Sequence, residues 1–168
     1  NHMWIIFFND TELRNILFDL EYGSYVIDAF SSLNIRSSNE SKYIVRKASI
    51  EDIDPLYELV EDSLEYYRSA PLFLRRDRMS KEDIIEIVSN NNAFLAFDND
   101  SLIGFINLSI SKSNNVIDMS VNNCGLIDEI GAYIRPEYRG KGIGRELLIR
   151  VSECCRGNNI SCVHVDFE

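Results

Sequence analysis

Tyr133-Ile134-Arg135-Pro136-Glu137-Tyr138-Arg139-Gly140-Lys141-Gly142-Ile143-Gly144 is the stretch from which the fold is read. Residues 126–134 form an apolar run that reads as a strand leading into it. Downstream, Ile143, Leu147, Leu148 and Val151 recur at helical spacing, so a helix over residues 143–155 is expected. Strand, short turn, glycine-rich loop and helix form a unit that turns several backbone N–H groups toward one point at the positive end of a helix. A Cβ in such a loop would block the approach of a phosphate and oppose the unusual φ values of the turn. The stretch reads as an anion cradle.

Spacing separates three kinds of glycine-rich cradle. A P-loop needs Gly-x4-Gly-Lys-Ser/Thr, but Lys141 is followed by Gly142, so no hydroxyl is placed for Mg²⁺. A dinucleotide fingerprint needs Gly-x-Gly-x-x-Gly, whereas Gly140, Gly142 and Gly144 run Gly-x-Gly-x-Gly; Asp166 on a later strand keeps that reading open as a mimic of the ribose-binding acid. The third pattern, Arg/Gln-x-x-Gly-x-Gly/Ala, is met at every fixed position by Arg139, Gly142 and Gly144. In this the chain resembles the GNAT acyltransferase superfamily. The resemblance implies that the loop amides of Arg139, Gly140, Lys141, Gly142, Ile143, Gly144 and Arg145 bind the pyrophosphate of coenzyme A. It also implies that the backbone of Ala132, Tyr133 and Ile134 holds the pantetheine arm and the thioester carbonyl. Acetyl-CoA would then be the co-substrate, attacked directly by a primary amine in a ternary complex, with no metal and no covalent enzyme intermediate.

The 168 residues fit one core, with 45% hydrophobic and 26% charged residues. A net charge of −10 argues against nucleic acid or an anionic membrane as partner. Against that background Arg135, Arg139, Lys141, Arg145 and Arg150 cluster around the glycine loop, a local positive patch suited to a phosphorylated ligand. Cys124, Cys154, Cys155 and Cys162 show no Cys-x-x-Cys spacing and no histidine at ligand spacing, and read as reduced packing residues. The apolar run at residues 4–8 is too short for a signal core, and no segment approaches the ~20 apolar residues of a membrane span. A cytoplasmic location is expected. Asn1-His2-Met3 reads as a cloning scar, which removes His2 from consideration.

Residues 4–41 read as an N-terminal arm and linker: a strand at 4–8, a helix at 11–20, a strand at 25–30, then a Ser- and Asn-rich linker ending near Ser41. Residues 42–168 read as the main domain. Its first strand spans 42–48, and a helix opens at Asp52 with Pro55 in the first turn. Ile53, Leu56, Tyr57, Val60, Leu64 and Tyr67 form that helix's apolar stripe. A loop follows at 69–78, then a helix begun by the capping box Ser80-x-x-Asp83. A hairpin comes next, with strands at 93–97 and 102–110 around Asp98-Asn99-Asp100, and then a polar loop at 111–123. A last strand spans 161–167. The order β-α-α-β-β-β-α-β specifies an α/β (α+β) domain with a mixed, mostly antiparallel sheet flanked by helices and carrying an N-terminal β-α-β arm. The same order is what the GNAT resemblance implies. The family normally continues past the strand at 161–167 with a helix bearing a tyrosine acid and two more strands; residues 4–30 read either as an extra arm on another face or as a segment that packs where those elements would lie, in the same chain or a partner.

Acyl transfer to an amine needs a base to free the nucleophile, a polarised carbonyl and a proton for the leaving thiolate. Glu129, upstream of Tyr133 where the family often places an acid, is the candidate base. Successive strand residues face opposite ways, so Glu129, Gly131 and Tyr133 share one face and Asp128, Ile130 and Ala132 the other. Tyr133 is the candidate acid. Tyr67 and Phe73 are candidates for the acceptor pocket, and His164 reads as a satisfied core histidine. The partners implied are acetyl-CoA and an amine acceptor, a cationic one suiting the acidic surface; a homodimer stays open. The alternative is a non-catalytic module that binds CoA or acetyl-CoA through the same cradle.

Overall fold

A computed structural model of the chain describes residues 5–23, 27–32, 35, 42–69, 77–90, 92–111, 124–128 and 130–167. The expectations placed on residues 1–4, most of the linker, Phe73, the 112–123 loop and Glu129 lie outside the described residues. The elements are α1 (Thr11–Asp19), β1 (Ile27–Ser31), β2 (Ile44–Lys47), α2 (Ile53–Arg68), α3 (Lys81–Asn90), β3 (Asn92–Asp98), β4 (Ser101–Ser111), β5 (Cys124–Ile127), β6 (Ala132–Ile134), α4 (Ile143–Gly157) and β7 (Val163–Phe167). Short 3₁₀ turns at Ile50–Asp52 and Pro136–Tyr138 lead into α2 and the glycine loop.

The strands form one sheet in the order β1-β7-β5-β4-β3-β2, and β6 joins it through β4. β5 and β7 run parallel; the other pairings are antiparallel. The sheet is mixed and mostly antiparallel, as the element order requires. Helices cover both faces because β3 alternates: Phe94 and Ala96 pack with Ile143, Leu147 and Val151 of α4, whereas Leu95 packs with Leu56, Leu59 and Ile84 of α2 and α3. The start of α3 is capped. Ser80 N–H donates to Asp83 Oδ2 at 2.7 Å and Asp83 N–H to Ser80 Oγ at 3.2 Å. The turn before α2 is closed by Ser49, whose N–H and Oγ both donate to Asp52 Oδ2 at 2.8 Å.

The arm differs from its reading. Residues 5–7 take no regular structure and Phe8-Asn9 turn directly into α1, so the described part of the arm is a helix and a strand. Ile5, Phe7 and Phe8 are largely exposed and pair with no strand among the described residues. Asp10 caps α1 by accepting from Leu13 N–H at 3.0 Å, and α1 buries none of its residues. β1, in contrast, pairs with β7 along its whole length, from Ile27 opposite Phe167 to Ser31 opposite Val163.

The single strand expected over 126–134 is corrected to two. β5 ends at Ile127 and β6 begins at Ala132, with Gly131 between them at φ +65°. Asn107, wholly buried on β4, holds the break open. Its Nδ2 donates to the Asp128 carbonyl at 3.2 Å and its backbone N–H to the Gly131 carbonyl at 2.8 Å, while Gly131 N–H closes the turn on Asp128 O at 2.8 Å. Ser109 Oγ ties down the Asp128 carboxylate at 2.8 and 3.0 Å. Facing does not alternate across this break: Ile130 and Tyr133, assigned to opposite faces above, pack in the same cluster under α2 and α3.

Candidate functional site

The break creates the site. β5 pairs with β7 from Gly125–Val163 to Ile127–Val165. Past Ile127 the chain swings onto β4 as β6, which pairs Ala132, Tyr133 and Ile134 with Ile106, Phe105 and Gly104. β6 and β7 therefore part, and a mostly apolar cleft of about 530 Å³ opens where they do. Its walls are β6, Val163 and Val165 of β7, Leu147 and Leu148 of α4, Tyr66 and Tyr67 at the end of α2, and residues 29–31 of β1.

Backbone polarity along the edge of β6 follows from the ladder. Gly131 O accepts from Asn107 N–H, and Arg135 N–H donates to Ile103 O, so residues 131, 133 and 135 turn their polar groups toward β4. Alternation turns those of Ala132 and Ile134 outward, to the cleft. Arg139 Nε already donates to the Ile134 carbonyl at 2.9 Å. The cleft-facing groups are thus those of Ala132 and Ile134, while the Tyr133 backbone is committed to the sheet.

At the open end lies the glycine loop. Gly140 (φ +72°) and Gly142 (φ +86°) take left-handed conformations that L side chains oppose, and a Cβ at either would project into open space. Gly142 is the N-cap of α4, and no side chain caps that end. The first turn's N–H groups have no intrahelical acceptors and sum with the helix dipole. Ile143 and Leu147, both buried, fix α4 in the core, so the direction of those donors is set by packing. An uncapped, rigid, glycine-lined helix start is suited to an anionic oxygen cluster.

The basic cluster is partly committed elsewhere. Arg135 pairs with Asp62 of α2 at 2.8 Å and Arg150 with Glu153 at 2.9 Å. The Arg139 guanidinium stacks 4.2 Å from the Tyr66 ring centroid and 5.5 Å from that of Tyr133, each contact worth ~0.5–1 kcal/mol. Lys141 lies 4.9 Å over the Tyr138 ring, and Lys141 and Arg145 are both exposed beside the loop. Tyr133 is buried against Phe105 and Tyr66, and burial raises its phenol above the usual tyrosine range, with Arg139 opposing. His164 is buried and stacks on Phe30 at 4.8 Å, away from the cradle. Asp166 lies in the β1–β7 ladder opposite Asp28. Among the described residues no group of three His, Cys, Asp or Glu could hold a metal ion, and no helix is long and apolar enough to cross a membrane.

Residues 53–167 match the family model for the acetyltransferase (GNAT) family. The chain belongs to the GNAT family. As a GNAT acyltransferase it is 30% identical over 129 residues to the spermidine N(1)-acetyltransferase of Thermoplasma acidophilum, covering 69% of this chain and 72% of that one. Among solved structures, the PaiA N-acetyltransferase of Thermoplasma acidophilum in complex with coenzyme A superposes with a TM-score of 0.54 at 25% identity, over 70% of this chain and 74% of that one. A predicted acetyltransferase from Clostridium acetobutylicum, crystallised with acetyl-CoA, shares the fold with a TM-score of 0.58 at 19% identity, over 73% and 79%.

Several residues that shape this cleft are hard to read from the sequence. Tyr67 falls on the apolar stripe of α2 and its neighbour Tyr66 does not, yet the wall uses both. Asn107 left one signal, a lone amide inside the apolar run 102–110. Residues 29–31 left none, since their place depends on a ladder with residues 163–165.

Proposed function

We propose that this protein transfers the acetyl group of acetyl-CoA to a primary amine of a cationic, polyamine-like acceptor. The observation that carries the reading is the uncapped start of α4 behind left-handed Gly140 and Gly142, opening beside the parted strands β6 and β7. In this reading the loop amides from Arg139 to Arg145 hold the pyrophosphate. The outward groups of Ala132 and Ile134 bond the pantetheine arm and orient the thioester carbonyl. The apolar wall of Leu147, Leu148, Val163 and Val165 excludes water from the chain. Bound acetyl-CoA supplies the activated acyl group, and the protein's part is placement and proton handling.

Glu129 is the proposed base for the acceptor ammonium and Tyr133 the proposed donor to the departing thiolate. A phenol raised by burial stays protonated at neutral pH, as a donor must. Two observations support a cationic acceptor: the net charge of −10 and the sequence likeness to a spermidine acetyltransferase.

The test is calorimetric titration with acetyl-CoA, paired with thiol release in the presence of spermidine. Asn and Asp tolerate the left-handed region best among L residues, so Gly142→Asn and Gly142→Asp keep the fold and differ in charge alone. Gly142→Asp is expected to weaken acetyl-CoA binding about 100-fold or more, a loss on the order of 3 kcal/mol from placing a carboxylate against the pyrophosphate; Gly142→Asn should weaken it less. Folded parent protein that binds no acetyl-CoA, or an aspartate variant that binds like the parent, would sink the cradle. Binding without thiol release from any amine would make the chain a CoA-binding module instead. Glu129→Gln and Tyr133→Phe, run in the same assay, should lower kcat while leaving the KM for acetyl-CoA in place.

A further inference from the structure

Cys124 and Cys162 are free thiols 38 positions apart in sequence that the sheet brings side by side. Gly125 pairs with Val163 in the parallel β5–β7 ladder, so the residue before each stands at the start of that ladder. Their Sγ atoms lie 3.3 Å apart. Adjacent strands are about 4.8 Å apart, inside the Cα separation of about 4.4–6.8 Å that disulfides span. Bond formation requires the sulfurs to close by roughly 1.3 Å, a matter of side-chain rotation.

The two thiols are unequal in a useful way. Cys162 is only half-buried, so a small oxidant reaches it. Cys124 is 1% exposed, and its Sγ lies 3.3 Å from the Gly125 carbonyl and 3.6 Å from that of Cys162. Burial, with the Cys162 contact second, pushes the Cys124 thiol up to about 12. Exposure makes Cys162 the thiol that meets the oxidant, and the 3.3 Å approach of its sulfur makes Cys124 the thiol placed to resolve it, although burial slows that second step. Cys155 of α4 also packs here, close enough that a Cβ on Gly125 would stand 3.2 Å from its sulfur, but it is 1% exposed and comes from the layer above the sheet.

We propose that Cys124 and Cys162 are a peroxide-sensitive thiol pair that closes to a reversible disulfide, stapling β5 to β7 at the closed end of the cleft. The oxidant is hydrogen peroxide or a small organic peroxide. Cys162 sulfur attacks a peroxide oxygen, the O–O bond breaks, and the released hydroxide (or alkoxide) takes the Cys162 proton, leaving a sulfenic acid. Cys124 sulfur then attacks Cys162 sulfur, the S–O bond breaks, and hydroxide leaves as water with the Cys124 proton. Two thiols and one peroxide give one disulfide and two waters, or one water and one alcohol. The staple lies at the end of the ladder opposite the point where β5 leaves β7, so it fixes the strand pair from which the cleft diverges.

The full chain, folded, is treated with hydrogen peroxide, quenched, denatured and alkylated. The count of free thiols should fall from four to two, a tryptic peptide should join Cys124 to Cys162, and dithiothreitol should restore all four. The disulfide closes a long loop, so the oxidised protein should melt roughly 10 °C higher than the reduced one. Cys124→Ser and Cys162→Ser should each keep their three remaining thiols from forming this link, whereas Cys155→Ser should still lose two. Four surviving thiols, a bridge through Cys154 or Cys155, a bridge between two molecules, or Cys162 carried to sulfinic acid without a bridge would each overturn the proposal. So would an oxidised form that melts at the temperature of the reduced one.

Discussion

Asp52 illustrates what a single residue hides in a sequence. Read locally it opens a helix; in the fold its carboxylate is 7% exposed and meets Arg46 through bonds of 2.6 and 2.7 Å, with Ser49 donating twice. Nothing local announces that pairing, because it depends on β2 and the turn after it folding back on one another. The glycine loop was legible for the opposite reason: left-handed φ at Gly140 and Gly142 is a demand each residue meets alone. Arg46 first, and then Ser49, hold the Asp52 carboxyl down at about 2 against the opposing effect of burial. A folded value below the unfolded value of 3.8 means that the stabilisation is whole above that unfolded value and is lost as pH falls toward 2. Asp52→Asn is therefore expected to cost about 2 kcal/mol at roughly pH 7, less the share that the half-exposed Arg46 loses to solvent, and almost nothing near pH 2. Urea unfolding of both proteins across that range measures it. A difference that does not shrink in acid would mean that the ion pair is not its source.

At the scale of elements, the hairpin and α2, α3 and α4 were legible from periodicity and caps, but the division of residues 126–134 was not. An apolar run with a glycine in it reads equally as one strand or two. What decides is a buried amide on another strand, Asn107, which binds both ends of the break. The same limit affected the catalytic reading, since the facing argument for Glu129 assumed an unbroken strand. β6 is also held close to β4: a Cβ on Gly104 would stand 3.0 Å from the Tyr133 carbonyl oxygen and 3.1 Å from Ile134 Cγ1. The first of these is backbone and cannot rotate away, so Gly104→Ala must push β6 outward. We expect a loss of about 1–3 kcal/mol in stability together with weaker acetyl-CoA binding, although residue 104 lies on the far side of β6 from its cleft edge. Thermal unfolding and calorimetry on the one variant read both. Parent-like values in each would mean that the spacing of β6 does not set the cleft.

For the whole molecule, composition and charge fixed little beyond one acidic core-forming chain, and the arm was the part least open to sequence reasoning. Its helix was found because a helix is a local structure; the placement of its strand depends on a partner about 135 residues away. The reading divided the chain near Ser41, yet Ile27–Ser31 pairs fully with β7, Phe30 stacks on His164, and residues 29–31 wall the cleft. Without that strand β7 would present a row of unpaired backbone groups, the usual template for association between copies. A chain of residues 42–168 alone is therefore expected to melt several degrees lower and to self-associate as its concentration rises, while keeping the glycine loop and α4 intact. Sedimentation and thermal unfolding beside the full chain make the comparison. If the shortened protein stays monomeric and melts with the parent, the arm is an appendage and the division near Ser41 is a true domain boundary. If it associates and regains its midpoint when a peptide spanning Ile27–Ser31 is added in trans, β1 is a working strand of the domain, and the edge of β7 is where this fold is held closed.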